Sequence, residues 1–132
     1  MEELDAGECW RLLGESAVGR LAWCEADGPV LIPVNHAVAD GVLLLRTAPW
    51  TSLVTHVDDS PVAYEVDGSD PGTRTGWSVL VRGRAEVSYA ADRHATDPQT
   101  PGLPGPDPWP DRSHAALVRL HPDEVTGRRL TR

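Results

Sequence analysis

VLLLRTAPWTSL, residues 42–53, is the stretch on which the reading of this chain turns. Its apolar start reads as a buried strand that ends in Arg46-Thr47. Ala48-Pro49 then turns the chain into an amphipathic segment that opens with Thr51-Ser52. This arrangement suits a phosphate. A guanidinium forks two hydrogen bonds onto phosphate oxygens, and a helix start adds hydroxyls, free backbone N–H groups and the positive end of a dipole. Pro49 fits the first turn of a helix, where its missing N–H costs nothing. Taken alone, the same letters also spell a surface arginine at a strand end followed by an ordinary helix cap. The flanking sequence decides between the two.

Upstream, residues 4–15 predict a short amphipathic helix with Leu4, Cys9, Leu12 and Leu13 towards one side, capped by Asp5 with Glu8 three residues on. VGRLAWCE (18–25) alternates around Leu21 and Trp23 as a strand does. Asp27-Gly28 is a hairpin dipeptide. PVLIPVNHAV (29–38) predicts the second strand, with Pro33 marking an edge, a bulge or a bend because proline cannot donate to the ladder. Asp40-Gly41 is a second hairpin turn, and residues 42–47 form the third strand.

Downstream, residues 49–58 predict a helix with Leu53, Val54 and Val57 on its buried side, ended by Ser60-Pro61. Residues 61–66 predict a fourth strand and 67–76 a polar, glycine-rich loop. A long fifth strand follows at 77–87, with Gly83 as a bulge or kink. Residues 89–112, rich in Pro, Asp and Gly, read as an irregular excursion. A sixth strand is expected at 115–121, a turn or short helix at Pro122-Asp123-Glu124, and a final short strand at 127–130. Six or seven strands with tight hairpins and few helices predict a mainly β, antiparallel barrel that removes its own sheet edges.

The 132 residues suit one domain, 1–132. The formal charge of −8 argues against nucleic acid as the main partner. No apolar run spans a bilayer, and the acidic start MEELDAGE lacks the order of a signal peptide, so a cytoplasmic location is expected. All 12 basic side chains are Arg; lysine Schiff-base or amine-base catalysis is excluded, and anion binding must rest on Arg, hydroxyls and backbone. Cys9 and Cys24 have no metal-ligand spacing and read as reduced, structural thiols. The five His show no ligand spacing with Asp or Glu, so no metal site is expected.

The segments SAVGRLAW, IPVNHAV, LLLRTAPWTSL, VAYEVDGSDPGTRTGWSVLVRGRAEV and VRLHPDEVTGRRL, in this order, resemble the pyridoxamine 5'-phosphate oxidase-like family of flavin-binding split barrels. The resemblance implies a homodimer with two flavin mononucleotides (FMN) in grooves between the subunits. It implies that Arg46, Thr47, Thr51 and Ser52 hold the phosphate. The ring would lie along the second strand at Pro33, Val34 and Asn35, with backbone hydrogen bonds and polar side-chain contacts from Asn35 and His36. Trp77 and Ser78 would reach the cofactor from the partner subunit. Relatives commonly show Gly and then Thr-Lys after the RTAP-like turn; here stand Trp50 and Thr51-Ser52, so one cation facing the phosphate is lost, and Trp50 is expected to cover the cofactor or pack at the dimer interface. The ending GRRLTR does not match the Arg-containing substrate motif of true pyridoxamine phosphate oxidases.

The leading expectation is therefore an FMN-dependent oxidoreductase acting on a small molecule that the sequence does not name. Two rivals stand beside it: a deazaflavin enzyme of the same fold, and a non-catalytic flavin or haem carrier or sensor in which His36 or His56 would be the axial ligand. For Arg20, Arg82 and Arg84 the simpler reading is a solvated face or cross-strand pairs with Glu65 and Glu86.

Overall fold

The computed structural model describes residues 1–47, 52–89 and 116–131. Within them the order is β1 (Glu2–Leu4), α1 (Ala6–Glu15), β2 (Val18–Glu25), β3 (Gly28–Ala39), β4 (Val42–Thr47), α2 (Ser52–His56), β5 (Ser60–Asp70), β6 (Thr75–Tyr89) and β7 (Ala116–Leu130). All pairings are antiparallel, in the order β1-β7-β4-β3-β2-β5-β6, and β6 also pairs with β7. The sheet thus closes into a barrel of β2 to β7. The first part of β7 pairs with β4 and its far end with β1.

Alternation builds the interior. Leu21 and Trp23, Val34 and His36, Leu43 and Leu45, Val62, Tyr64 and Val66, Val79 and Val81, and Val118 and Leu120 all point inward and are buried. The β3–β4 hairpin turns at Asp40 (φ 52°) and Gly41 (φ 75°), the two left-handed residues that a type I′ turn requires. Pro33 sits where β3 has β2 on one side, opposite Arg20. Pairing with β4 begins only at His36, so the missing N–H of Pro33 breaks no ladder bond on the β4 side.

Four sequence expectations are corrected. The helix starts at Ala6, because Asp5 caps it through its carboxylate and the Glu8 N–H (2.8 Å); Leu4 instead ends β1, a strand the sequence reading lacks. Residues 67–76 are not a loop: Asp67–Asp70 and Thr75–Gly76 extend β5 and β6, leaving a turn of residues 71–74. Pro122-Asp123-Glu124 is neither turn nor helix, and no separate strand follows. Residues 116–130 run as one strand, with Pro122 opposite Gly83 at a register shift between Arg82 and Gly83, where the ladder is already interrupted. The second helix is described over Ser52–His56 alone, with Leu53 and the following Val57 buried in the core. The expected excursion at 89–112 lies outside the described residues, apart from Tyr89 at the end of β6.

The helix α1 closes one end of the barrel with Cys9, Leu12 and Leu13. It rests on Gly127 of β7, where a Cβ atom would stand 2.6 Å from Cys9 Sγ.

Candidate functional site

Strand periodicity divides the expected site residues into two sets. Val34, His36, Thr47 and Trp77 share the inward parity of their strands. Pro33, Asn35, Arg46 and Ser78 share the outward parity. Trp50 and Thr51 lie outside the described residues, and Ser52 is the first residue of α2.

Within the inward set, His36 and Trp77 make contacts inside the fold. His36 is 4% exposed, and its Nε2 lies 2.8 Å from the Leu13 carbonyl oxygen. A carbonyl only accepts, so Nε2 carries the hydrogen. Nδ1 lies 2.7 Å from the Tyr64 hydroxyl oxygen, which is also 2.8 Å from the Val34 carbonyl oxygen, so the one hydroxyl hydrogen is shared between two acceptors. Burial holds the imidazole below its usual pKa, against the opposing pull of the Leu13 carbonyl, and pushes the phenol up. The expectation of a polar side-chain contact from His36 to a cofactor, or of axial ligation by it, thus meets a side chain whose two nitrogens are engaged in the core. Trp77 lays its indole on Gly68, its cross-strand partner, where a Cβ would stand 2.8 Å from Nε1.

The outward set lies on one face of the sheet, exposed at Leu31 and Val18 and covered at Leu44, Leu117 and Arg119. Val18 pairs with Asn35, Ala22 with Leu31 and Arg20 with Pro33. Leu31 is 64% and Val18 48% exposed, an apolar area beside Pro33 and Asn35. Across the next strands Ala37 lies opposite Leu44, Leu44 opposite Arg119, and Arg46 opposite Leu117. Arg46 is half-buried at the end of β4. Arg119, on the same face, is only 5% exposed and places Nη1 3.4 Å from Ser88 Oγ.

Arg119 is absent from the sequence reading. Its signal was the alternation of Val118 and Leu120, which turns Arg119 outward. Its nearness to Arg46 depends on the pairing of β4 with β7, which lie some 70 positions apart in the chain.

Several other charged residues are engaged elsewhere. Arg20 bonds Glu65 (2.7 Å) and Asp67 (2.5 Å), Arg84 Nη1 lies 3.3 Å from Asp59, and Glu86 meets His121 at 3.1 Å. The predicted solvated faces are therefore present, but Glu65 and Glu86 do not pair with Arg82 or Arg84. Arg82 instead faces Glu124 at 3.8 Å. His56 is exposed beside Glu25 (3.5 Å). A cleft of about 450 Å³ at the α1 end includes Arg11, Trp77 and Arg129. Arg11 is bound to Glu8 and Glu15, and Arg129 to Glu8, whose carboxyl those arginines hold at about 2, Arg11 foremost. Cys9 and Cys24 are free thiols, and burial pushes the Cys9 thiol up. No group of three His, Cys, Asp or Glu among the described residues is placed to hold a metal.

A closed antiparallel barrel is the architecture that the resemblance implies. The family model described as pyridoxamine 5'-phosphate oxidase matches residues 5–129. The chain belongs to the pyridoxamine 5'-phosphate oxidase-like family. Among relatives of this family, the uncharacterized protein Rv0080 of Mycobacterium tuberculosis is 38% identical over 133 residues, covering 97% of this chain and 84% of its own. The structure of the FAD binding protein from Mycobacterium smegmatis is 32% identical with a TM-score of 0.72, covering 97% of this chain and 96% of that one. A FAD-binding protein from Mesorhizobium loti, 23% identical with a TM-score of 0.71 over 98% of this chain and 96% of its own, shares the fold. The family's split barrel is thus the fold of this chain. Among the described residues no helix is long and apolar enough to cross a membrane.

Proposed function

We propose that this protein is a flavin-dependent oxidoreductase that binds FMN between the subunits of a homodimer and exchanges hydride or electrons with a small molecule. The observation that carries this reading is the single outward face running from Pro33 and Asn35 across Leu44 to Arg46. Its apolar end suits a flat ring, and its cationic end suits a phosphate. Exposed Leu31 and Val18 beside Pro33 also offer the apolar area that a second copy would cover.

A flavin would supply the redox chemistry, and the chain would bind it, orient it and exclude water. Arg46 would hold the phosphate, the backbone of β3 at Pro33 to Asn35 would face the ring, and Ser78, outward on β6, would approach from the partner. His36 would act behind the site, fixing the back of β3 through Tyr64 and the Val34 carbonyl. No acid or base is assigned, since hydride transfer needs positioning above all. FAD is the second ligand to consider, because the 32%-identical relative from M. smegmatis is described as FAD binding.

The test is the visible spectrum of purified protein after addition of FMN or FAD and removal of excess. Retained flavin with shifted or quenched bands is expected, together with its loss in Arg46→Ala. If neither flavin is retained at concentrations that fill an intact site, the proposal fails.

A further inference from the structure

We propose that His36 is a proton-sensing switch inside the barrel: in the folded chain it takes up one proton where it stands, and the Tyr64 hydroxyl passes that change to the Val34 carbonyl of β3. The switch needs no bound flavin.

A row of hydrogen-bonding groups crosses the core from α1 to β3. The Leu13 carbonyl oxygen lies 2.8 Å from His36 Nε2, Nδ1 lies 2.7 Å from the Tyr64 hydroxyl oxygen, and that oxygen lies 2.8 Å from the Val34 carbonyl oxygen. Both ends of the row are carbonyls, which only accept, so its three contacts call for three hydrogens. A neutral imidazole and a phenol bring two. The Val34 carbonyl and Nδ1 then depend on the same hydroxyl hydrogen. An imidazolium and a phenol bring three. A proton taken from water onto Nδ1 turns that nitrogen into a donor to the hydroxyl oxygen, and the hydroxyl gives its own hydrogen to Val34 alone. No covalent bond changes except the new N–H, and the contacts keep their places.

The surroundings set where this happens on the pH scale. Burial holds the imidazole below its usual value of 6.5, and the Leu13 carbonyl pulls it back up. Leu13 lies in the last turn of α1, where the orphan carbonyls form the negative end of the helix dipole and favour a cation. Burial pushes the Tyr64 phenol up, against Gly19 and Arg20, so the hydroxyl keeps its hydrogen throughout. The remaining strands turn apolar side chains inward: Leu21 and Trp23 on β2, Leu43 and Leu45 on β4, Val79 and Val81 on β6, Val118 and Leu120 on β7. From α1 comes the Cys9 thiol, which burial pushes up and so keeps neutral. Glu8, Arg11 and Glu15 pair with one another on the solvent side of that helix, and Arg20 is paired with Glu65 and Asp67. No carboxylate among the described residues is buried. The proton on His36 is thus held by the Leu13 carbonyl, the hydroxyl and the helix end, with no acid beside it.

The effect is delivered to β3. Val34 stands between Pro33 and Asn35, which lie on the outward face of the sheet. One hydrogen turning towards the Val34 carbonyl therefore carries a change of pH from the core to the strand that bears those residues.

The experiment is an NMR titration of the full chain, labelled with ¹⁵N and ¹³C, from about pH 7.5 to about pH 4.5. It follows the imidazole nitrogens of His36 and the carbonyl carbon of Val34, with the amide spectrum as the check on folding. The expected result is a neutral His36 with the hydrogen on Nε2 at the upper end, a midpoint below 6.5 in the folded chain, and a Val34 carbonyl shift that moves with the same midpoint. In Tyr64→Phe the proton affinity of His36 should fall about tenfold or more, the scale of one hydrogen bond to a charged group. In His36→Gln the Val34 carbonyl shift should stay flat over the same range. If neither variant folds, coincidence of the two wild-type midpoints decides. A His36 that stays neutral until the amide spectrum collapses overturns the proposal. So does a His36 that titrates while the Val34 carbonyl does not respond, an unchanged midpoint in Tyr64→Phe, or a Val34 shift that still moves in His36→Gln.

Discussion

Replacing Tyr64 with phenylalanine removes one oxygen atom from the centre of the barrel and should cost about 2–4 kcal/mol. The side chain is fully buried. Its ring lies against Gly19, where a Cβ would stand 2.5 Å from Cζ. Phenylalanine leaves that ring in place, so no cavity term enters. What disappears is the hydroxyl whose one hydrogen is shared between the Val34 carbonyl at 2.8 Å and His36 Nδ1 at 2.7 Å. Both buried acceptors lose that donor, and a buried polar group left unsatisfied costs about 1–3 kcal/mol. The hydroxyl's own desolvation, no longer needed, offsets part of the sum. Against a typical total of about 5–15 kcal/mol the effect is large. Urea unfolding of both proteins, extrapolated linearly with equal slopes, measures it. A difference under about 0.5 kcal/mol at unchanged slope would refute the view that this hydroxyl ties β3 to the core. A double-mutant cycle with His36→Leu then isolates the coupling, since residues in one hydrogen-bond network are not additive.

The same network sets a pH dependence. Burial lowers the His36 pKa in the fold below 6.5, so the unfolded chain binds a proton that the folded chain resists. The stability contribution is complete above pH 6.5 and falls as pH drops through the window just beneath it; thermal unfolding from pH 7.5 to 5.5 should show that slope, and His36→Gln should flatten it. Gly83→Ala should destabilise by about 1–3 kcal/mol, because the new Cβ would stand 2.1 Å from the His121 carbonyl oxygen at the bulge; a neutral result in denaturant titration would mean that the bulge relaxes freely. Arg82→Ala should change stability by less than about 0.5 kcal/mol, since its pairing with Glu124 at 3.8 Å joins two well-exposed side chains; a larger loss would show a role for it beyond solvation. Arg46→Ala should weaken FMN binding by about ten- to hundredfold with riboflavin affinity retained, and equal binding of FMN by the variant would remove Arg46 from the grip.

Local signals made much of this molecule legible. The alternation of Leu21 with Trp23, the apolar run of residues 42–45, the Asp-Gly turns and the Asp5 cap each act within a few residues, and the corresponding strands, hairpins and helix cap stand in the structure. The bulge expected at Gly83 is present for the same reason. The position of Arg46 at the end of a buried strand was legible too, because the apolar run of residues 42–45 stops there.

The remainder depended on contacts between distant parts of the chain. Glu2–Leu4 is a strand only because Arg129, Arg128 and Gly127 lie alongside it. Pro122 continues β7 because the bulge opposite it asks for no ladder bond, and Asp67–Asp70 are extended because residues 75–78 pair with them. Sequence letters placed Pro33, Val34, Asn35 and His36 in one motif. The closed barrel sent two of those side chains inward, engaging His36 with Leu13 and Tyr64. Closure also brought Arg119 onto the face of Arg46. Periodicity and turn chemistry are written in neighbouring residues, so the sequence by itself determined most of the elements and the buried faces of several. Which faces meet, and which cation stands beside which, is set by strand register across the whole chain, and only the tertiary structure decided that.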